Sequence, residues 1–140
     1  MAALTFTAAS VLLVGGQRDT LIAGGTIARG NLVRRNTSNQ IVVASNDSAT
    51  NADAYGIALN DAASGQPVEV ALLTGGGYID GVASNCAAGK ALFNGTSGAI
   101  NPVDDVAGGE FVTLVGVGVT AARFNIGKIS GGVAAAGAVT

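Results

Sequence analysis

Short runs of β-branched and aliphatic residues, separated by glycine and small polar residues, form the dominant pattern along the chain. Runs that end at Gly, Asn, Asp or Ser are typical of β-strands joined by tight turns. No segment shows the period of an amphipathic helix, so the pattern predicts an all-β fold. The clear strands are Leu32–Arg35, Ile41–Ala44, Tyr55–Leu59, Val68–Leu73, Phe111–Thr120 and Arg123–Ile129, and the weaker ones are Thr5–Val14, Lys90–Phe93 and Ala99–Val103.

A second regularity is an internal duplication. The aligned segments, first half before second, are Gly30–Ile41 with Gly89–Ile100, Tyr55–Leu59 with Val115–Val119 and, after a four-residue difference in loop length, Val68–Gly76 with Phe124–Gly132. One half alone has too few strands to cover its own apolar face. We therefore predict a small β-barrel or β-sandwich built from two duplicated halves.

The same pattern divides the chain into a β-domain and two arms. We predict an N-terminal arm or strand at residues 1–21, a β-domain at 22–132 with pseudo-repeats at about 23–76 and 82–132, and a tail at 133–140. The tail carries neither charge nor helix cap, and we expect both arms to be flexible. Since no Lys or Arg precedes the apolar run Val11–Val14, this run does not resemble a signal peptide.

Composition narrows the class of function. Charged residues make up 11% of the chain, against about a quarter in an ordinary domain, and 22 residues are glycine. Such a chain is a candidate for burying apolar surface against a partner. The net charge of −2, without a basic cluster, argues against a nucleic-acid partner. No stretch reaches the ~20 apolar residues of a membrane helix. We expect a soluble protein made without export.

The residues that carry chemistry are sparse. The chain has no histidine, which removes the commonest general base and most zinc sites. The run Ser84–Ala91 fails as a phosphate loop, since Ser84 replaces its first glycine and Ala91 its metal-binding hydroxyl. Cys86 fits a buried hydrophobe, and the acidic loop Asp104-Asp105 with Glu110 fits solvated carboxylates. We predict no enzyme activity, no cofactor and no metal.

Three groups of residues are candidates for contact with another subunit or protein. Gly116 and Gly118 lie on one face of a predicted strand, and their lack of side chains lets another backbone approach closely. The sequence leaves open whether that backbone belongs to the same chain, a sister subunit or a capsid protein. Arg34 and Arg35 are adjacent on a strand, so they face opposite ways, and one of them could form an ion pair across a contact. The apolar run Val11, Leu12, Leu13 and Val14 could add a strand to an exposed sheet edge.

Two segments resemble the capsid cement, or head-decoration, proteins of tailed bacteriophages. They are Ala23–Val33, which enters a strand at a glycine, and Tyr55–Val70, which contains Gly-Ile-Ala, a loop and Gly-Gln-Pro-Val-Glu-Val. The resemblance spans roughly residues 22 to 130, and Ala2–Gly16 departs from the usual opening of the family. It implies a homotrimer made in the host cytoplasm that binds the major capsid protein on the outside of the mature head. It also implies no catalytic residue.

Two other readings remain open from the sequence. One is a carbohydrate-binding β-domain of a virion, although only Tyr55, Tyr78 and four Phe supply aromatic faces. The other is a fibre-associated or tail-spike β-domain, which would need a longer chain with a receptor domain.

Overall fold

Strands account for almost all the regular structure, which confirms the predicted all-β class. The structure, a computed structural model, describes residues 3–103 and 107–128, and the backbone of 133–134. The elements are β1 (Thr5–Phe6), β2 (Leu12–Val14), β3 (Arg18–Ile22), β4 (Leu32–Arg35), β5 (Ile41–Val43), α1 (Ala49–Ala52), β6 (Gly56–Ala58), β7 (Pro67–Leu72), β8 (Tyr78–Asp80), β9 (Val82–Ser84), β10 (Ala91–Asn94), β11 (Ile100–Pro102), β12 (Phe111–Val112), β13 (Leu114–Thr120), β14 (Arg123–Ile126) and β15 (Val133–Ala134), with single 3-10 turns at Ala8–Ser10 and Thr96–Gly98.

Two antiparallel sheets repeat one topology. The first sheet has the strand order β5-β4-β6-β7-β3, and the second has the order β11-β10-β13-β14-β8 with β2 added beside β8. The cross-strand pairs also repeat, since Leu32 lies opposite Ile57 as Ala91 lies opposite Val117. The order and register therefore match strand for strand, as two duplicated halves require. We call β3–β7 the first unit and β8 with β10–β14 the second unit.

Equivalent turns in the two units share their backbone hydrogen bonds. The amide of Asn36 donates to Gln40 O over 2.9 Å, and the equivalent amide of Gly95 donates to Ala99 O over 2.8 Å. Asn39 and its equivalent, Gly98, both have positive φ, a conformation that Asn and Gly tolerate best. The two turns predicted from the sequence therefore have the same backbone geometry in both units.

The last strands of the two units, β7 and β14, align two residues away from the alignment predicted from the sequence. Val70 lies opposite Ala58, whereas Phe124 lies opposite Gly118, so Val70 and Phe124 are equivalent. The connection between these equivalent positions is six residues longer in the first unit, where the sequence alignment assumed four. The shift is an even number of residues, so each side chain keeps its predicted face.

Two hydrophobic cores lie on the two faces of the first sheet. The larger core lies between the sheets and joins side chains of both units, among them Leu32, Ile57, Ala71, Leu92, Phe124 and Ile126. The smaller core covers the far face of the first sheet and consists of Ala23, Ile27, Val33, Ile41, Ala58, Ala62, Val68 and Val70. The two sheets therefore form a sandwich, and the first sheet is buried on both faces.

A long loop closes the smaller core. Residues 59–66, between β6 and β7, carry Ala62, whose amide and carbonyl exchange hydrogen bonds of 3.0 and 2.8 Å with Ile27. We call these residues the cap loop. The second unit has only Ala121 and Ala122 between β13 and β14, and so lacks an equivalent loop.

The structure corrects the expectation of a flexible N-terminal arm. Strand β1 pairs with β9, and β2 pairs with β8 along its whole length. Leu4, Val11 and Leu13 are buried in the larger core. Alternation along β2 places every second side chain inside, and burial of those side chains holds the segment against the second sheet.

The C-terminal tail is described only in part. The backbone of Val133 and Ala134 forms β15, which pairs with β12. Residues 135–140 of the predicted tail lie outside the described residues. The boundary at 132, like the other predicted domain boundaries, stays a prediction.

Candidate functional site

The solvent-facing side of the second sheet is the most apolar open surface among the described residues. The described residues include five exposed large hydrophobic side chains. Four of them lie on this sheet: Leu12 at 59% and Val14, Tyr78 and Val119 at 40% each. The fifth, Ile22, lies on β3 in the other sheet. Exposed apolar residues that are contiguous on one face mark contact surfaces more often than scattered ones do.

Strand register arranges this surface in two rows. One row crosses the sheet through Leu12, Asp80, Arg123 and Thr120, and the other through Val14, Tyr78, Asn125, Val117 and Ala91. Val119 lies beside the first row, where the pairing of β13 with β14 shifts register. We call these ten residues the outer face.

The charges on the outer face neutralise each other. Arg123 donates two hydrogen bonds to Asp80, from Nε to Oδ1 at 2.5 Å and from Nη2 to Oδ2 at 2.8 Å. These bonds hold the pKa of the Asp80 carboxyl below its ordinary value, against the opposing effect of burial. The same guanidinium lies 5.3 Å from the centre of the Tyr78 ring, in a cation–π arrangement. The face thus carries no net charge around its apolar residues.

The equivalent row of the first unit is buried except at its edge, where Arg18 is exposed. Arg18, Ala71, Ile57 and Leu32 occupy the places of Tyr78, Asn125, Val117 and Ala91. Ala71, Ile57 and Leu32 are fully buried in the larger core, beneath the second sheet. One surface of the repeated unit is therefore covered by a β-sheet in the first unit and open in the second.

A polar groove of about 580 Å³ lies beside the turn between β4 and β5 in the first unit. Its lining residues are Arg35, Asn36, Thr37, Asn39, Asp53, Ala54, Tyr55 and Lys128. Arg35 Nε donates to Asn39 Oδ1 at 2.7 Å, and Lys128 Nζ donates to Asp53 Oδ1 at 2.5 Å. The Tyr55 hydroxyl donates to Asp19, and burial together with this bond raises its pKa. These polar and charged groups already bind other groups of this chain. The outer face is therefore the stronger candidate for binding a partner.

Only part of the predicted apolar contact is available at the surface. Val11 and Leu13, predicted as contact residues, are 2% and 9% exposed and belong to the core. Leu12 and Val14 project the other way and form one edge of the outer face. The error came from treating the four residues as a free arm, whereas strand alternation divides them between the two sides.

The predicted glycine contact is with this chain's own backbone. A Cβ built on Gly116 would overlap the carbonyl oxygen of Asn125, and one on Gly118 would overlap that of Ala87. Both glycines are buried, and of the three neighbours that the sequence leaves open, the structure shows this chain itself rather than a subunit or a capsid protein. The close backbone approach inferred from the sequence is present, but it lies inside the sheet and its neighbouring turn.

The two adjacent arginines lie apart, as strand alternation predicts. Arg35 lies in the polar groove with its guanidinium 5.1 Å from the centre of the Tyr55 ring. Arg34 is half-buried, and its Nε has no hydrogen-bond partner among the described residues. Neither forms an ion pair within the described part of the chain.

The other candidate chemistry gives no site. Cys86 is buried in the larger core, and burial raises the pKa of its thiol, as suits a small hydrophobe. Glu110 accepts hydrogen bonds from Asn46 Nδ2 and the Ala107 amide, while Asp104 and Asp105 lie outside the described residues. Among residues 3–103 and 107–128, no three acidic or cysteine side chains are grouped to hold a metal ion.

Comparisons with known proteins add no family. The chain matches no family model and no curated protein sequence. Within the described residues, no helix has the length and apolar character needed to cross a membrane.

The sequence reading missed Tyr78, Asp80, Arg123 and Asn125 as parts of a surface. Strand β8 has only three residues between glycines, too short a run to stand out as a strand. The duplication gives no sequence signal for β8, because its equivalent sixty residues earlier, Arg18–Thr20 in β3, is polar and was not predicted as a strand either.

Proposed function

We propose that this chain is a non-enzymatic structural protein that decorates the outside of a mature bacteriophage head and stabilises the shell. The observation that carries the proposal is the open outer face of a two-unit sandwich. A sheet whose equivalent face is buried elsewhere in the same chain is suited to being covered by another protein surface.

The segments that resemble the cement-protein family have structural roles, which supports the proposal. Tyr55–Leu59 contains β6, a central strand of the first sheet, and Gly65–Val70 ends the cap loop and begins β7. Gly56 is required because a Cβ there would overlap the Ala71 carbonyl oxygen, and Gly65 has a φ of 88°. The shared pattern is thus tied to the capped sheet rather than to a catalytic site.

Stabilisation follows from preferential binding. A protein that binds the expanded shell, but not its precursor or its dissociated subunits, shifts the equilibrium toward the expanded shell. Contacts made at several points by one bound assembly raise the effective affinity without any new kind of contact. The partner in this proposal is the major capsid protein, and the place of action is the outer surface of the virion. The three-fold state implied by the resemblance stays a prediction.

Co-sedimentation tests the function. The purified chain is mixed with empty expanded heads, and separately with unexpanded precursors, of the phage that encodes it. We expect stoichiometric pelleting with expanded heads only, and the chain centrifuged alone controls for aggregation. Absence from both pellets would overturn the proposal.

A carbohydrate-binding domain of a virion is the alternative, and one observation favours it. Tyr78 is exposed on the outer face next to Asn125 and Asp80, side chains that can bind sugar hydroxyls. The Arg123 guanidinium, however, already lies over the Tyr78 ring, where a sugar would stack. Failure to pellet with either form of head would favour this alternative.

A further inference from the structure

We propose that the Asp19 carboxylate, held by the Tyr55 hydroxyl, blocks the addition of another strand at the free edge of the first sheet. That edge is β3, which pairs with β7 on one side only. An unpaired strand edge is a template for pairing with another chain. The inference goes beyond the proposed function, because it concerns the association of chains in solution and holds with or without heads.

Strand β3 is the most open of the four strands at the edges of the two main sheets. It has five residues, four of them exposed, whereas β2, β5 and β11 have three residues each. The β5 edge is covered in part, since Ile41 O accepts a hydrogen bond of 2.7 Å from the Gly24 amide. The β11 edge is covered likewise, since Ile100 O accepts one of 2.8 Å from the Leu4 amide. Protection against strand addition is therefore needed most at β3.

Hydrogen bonds at the two ends of β3 fix which of its backbone groups face away from the sheet. Gln17 O accepts a bond of 3.0 Å from the last residue of β7, and the Ala23 amide donates one of 2.8 Å to the residue before β7. Alternate residues of an antiparallel pair face the partner strand. The backbone groups of Arg18, Thr20 and Ile22 therefore point outward, where an added strand would bind.

A side chain occupies the middle one of these outward amides. The Thr20 amide donates to Asp19 Oδ1 at 2.8 Å, and the Tyr55 hydroxyl donates to Asp19 Oδ2 at 2.9 Å. Both carboxylate oxygens are thus bound, and Tyr55, directly before β6, fixes their position. An added strand must displace the carboxylate from the amide or bury it beside a new backbone, and either change costs free energy.

The second unit shows the equivalent edge in its paired form. Ile79 holds the place of Asp19, because each lies opposite the equivalent residue of the next strand, Phe124 in β14 or its counterpart in β7. Strand β2 covers this edge in antiparallel register, with Leu13 opposite Ile79. An apolar residue thus lies at the edge that is paired, and a carboxylate lies at the edge that is free.

Amide hydrogen exchange followed by NMR tests the block at its own atoms. After correction for intrinsic rates, we expect the Thr20 amide to exchange at least about tenfold more slowly than the other outward amides, those of Arg18 and Ile22. Asp19→Ala should abolish this difference, because it removes the acceptor. Tyr55→Phe keeps the ring and should speed Thr20 exchange, because the carboxylate loses its second bond. Equal rates at all three amides in the wild type, or an unchanged Thr20 rate in either variant, overturn the inference.

Sedimentation velocity over a concentration series tests the consequence. Asp19→Ile places the residue of the second unit at the free edge, and we expect species of about twice the wild-type mass or more. In these species the Arg18 and Ile22 amides should become protected from exchange, because an added strand bonds to them. Asp47→Ile is the matched control, since its carboxylate is exposed in a loop and accepts from Asn51 Nδ2. It should sediment like the wild type.

Asp19 is exposed, so we expect its variants to keep the wild-type circular dichroism spectrum. If Asp19→Ile does not, Asp19→Ala takes its place in the same measurement. Wild-type sedimentation by the folded variant overturns the inference. So does association that leaves the Arg18 and Ile22 amides unprotected, or equal association by Asp47→Ile, since either would result from an exposed apolar side chain rather than from a freed edge.

Discussion

At the scale of single residues, two glycines at equivalent places in the two units leave no room for a side chain. Gly56 and Gly116 hold equivalent places, and a Cβ on either would overlap a carbonyl oxygen of the adjacent strand, at Ala71 or Asn125. The strand backbone approaches so closely that only a hydrogen atom fits. Their role is to permit sheet pairing, so the consequence of replacing them should be measured as stability.

We expect Gly116→Ala to lower the free energy of unfolding by about 1–3 kcal/mol, the usual cost of forcing a methyl group into filled space. Gly56→Ala should behave alike. Gly127→Ala is the matched control, because a Cβ there meets nothing within 4 Å, and it should change stability by less than about 1 kcal/mol. Urea titration followed by circular dichroism measures all three, and equal stability of Gly116→Ala and Gly127→Ala would contradict this explanation.

At the scale of elements, β2 shows how one strand serves two purposes. Its inward side chain, Leu13, fills the core, and its outward side chains, Leu12 and Val14, belong to the outer face. Removing this segment therefore removes a structural strand as well as a surface. A truncated chain that fails to bind heads would not, for that reason, identify a binding arm.

We expect deletion of residues 2–14 to abolish the cooperative thermal transition, since it removes β1, β2 and three buried side chains. Leu13→Ala alone should cost about 2–5 kcal/mol, as for other buried leucines. Leu12→Ala is the matched control and should cost less than about 1 kcal/mol. Differential scanning calorimetry measures these changes. A deletion variant with the wild-type Tm would restore the flexible-arm interpretation.

The elements that could be predicted from sequence were those with long apolar runs. Leu32–Arg35 was predicted at its observed bounds, and Val68–Leu73 within one residue of β7. Strands β3 and β8 were missed because they are rich in polar residues or very short. The helix α1 could not be predicted, because it is a single turn held by Ser48 Oγ, which accepts a hydrogen bond from the Asn51 amide. The outer face could not be predicted, because it depends on which strands neighbour one another.

At the scale of the whole molecule, the two units share the larger core. Leu32 and Ile57 of the first unit belong to the same buried cluster as Leu92 and Phe124 of the second. Separation of the units would expose this cluster on both sides. The duplicated chain should therefore unfold as one cooperative body, although its sequence repeats.

We expect Leu32→Ala and Leu92→Ala each to shift a single urea transition to lower concentration, by about 2–5 kcal/mol in the free energy of unfolding. The slope of the transition should stay that of the wild type, because the same surface is exposed on unfolding. Intrinsic tyrosine fluorescence and far-ultraviolet circular dichroism should give coincident curves. Two separate transitions in either variant would mean that the units unfold independently.

The cap loop has a consequence for growth. Repeated units that join front to back can extend without limit, because each added unit presents a fresh surface to the next. The far face of the first sheet is the front of this chain, and residues 59–66 cover it. A second copy therefore has no open sheet to pack against at the front. The outer face, at the back, stays open, but no other copy has an open front for it to join. The same eight residues that complete a small hydrophobic core thus block front-to-back stacking of copies, the route by which an apolar, glycine-rich β-protein of repeated units would grow into filaments.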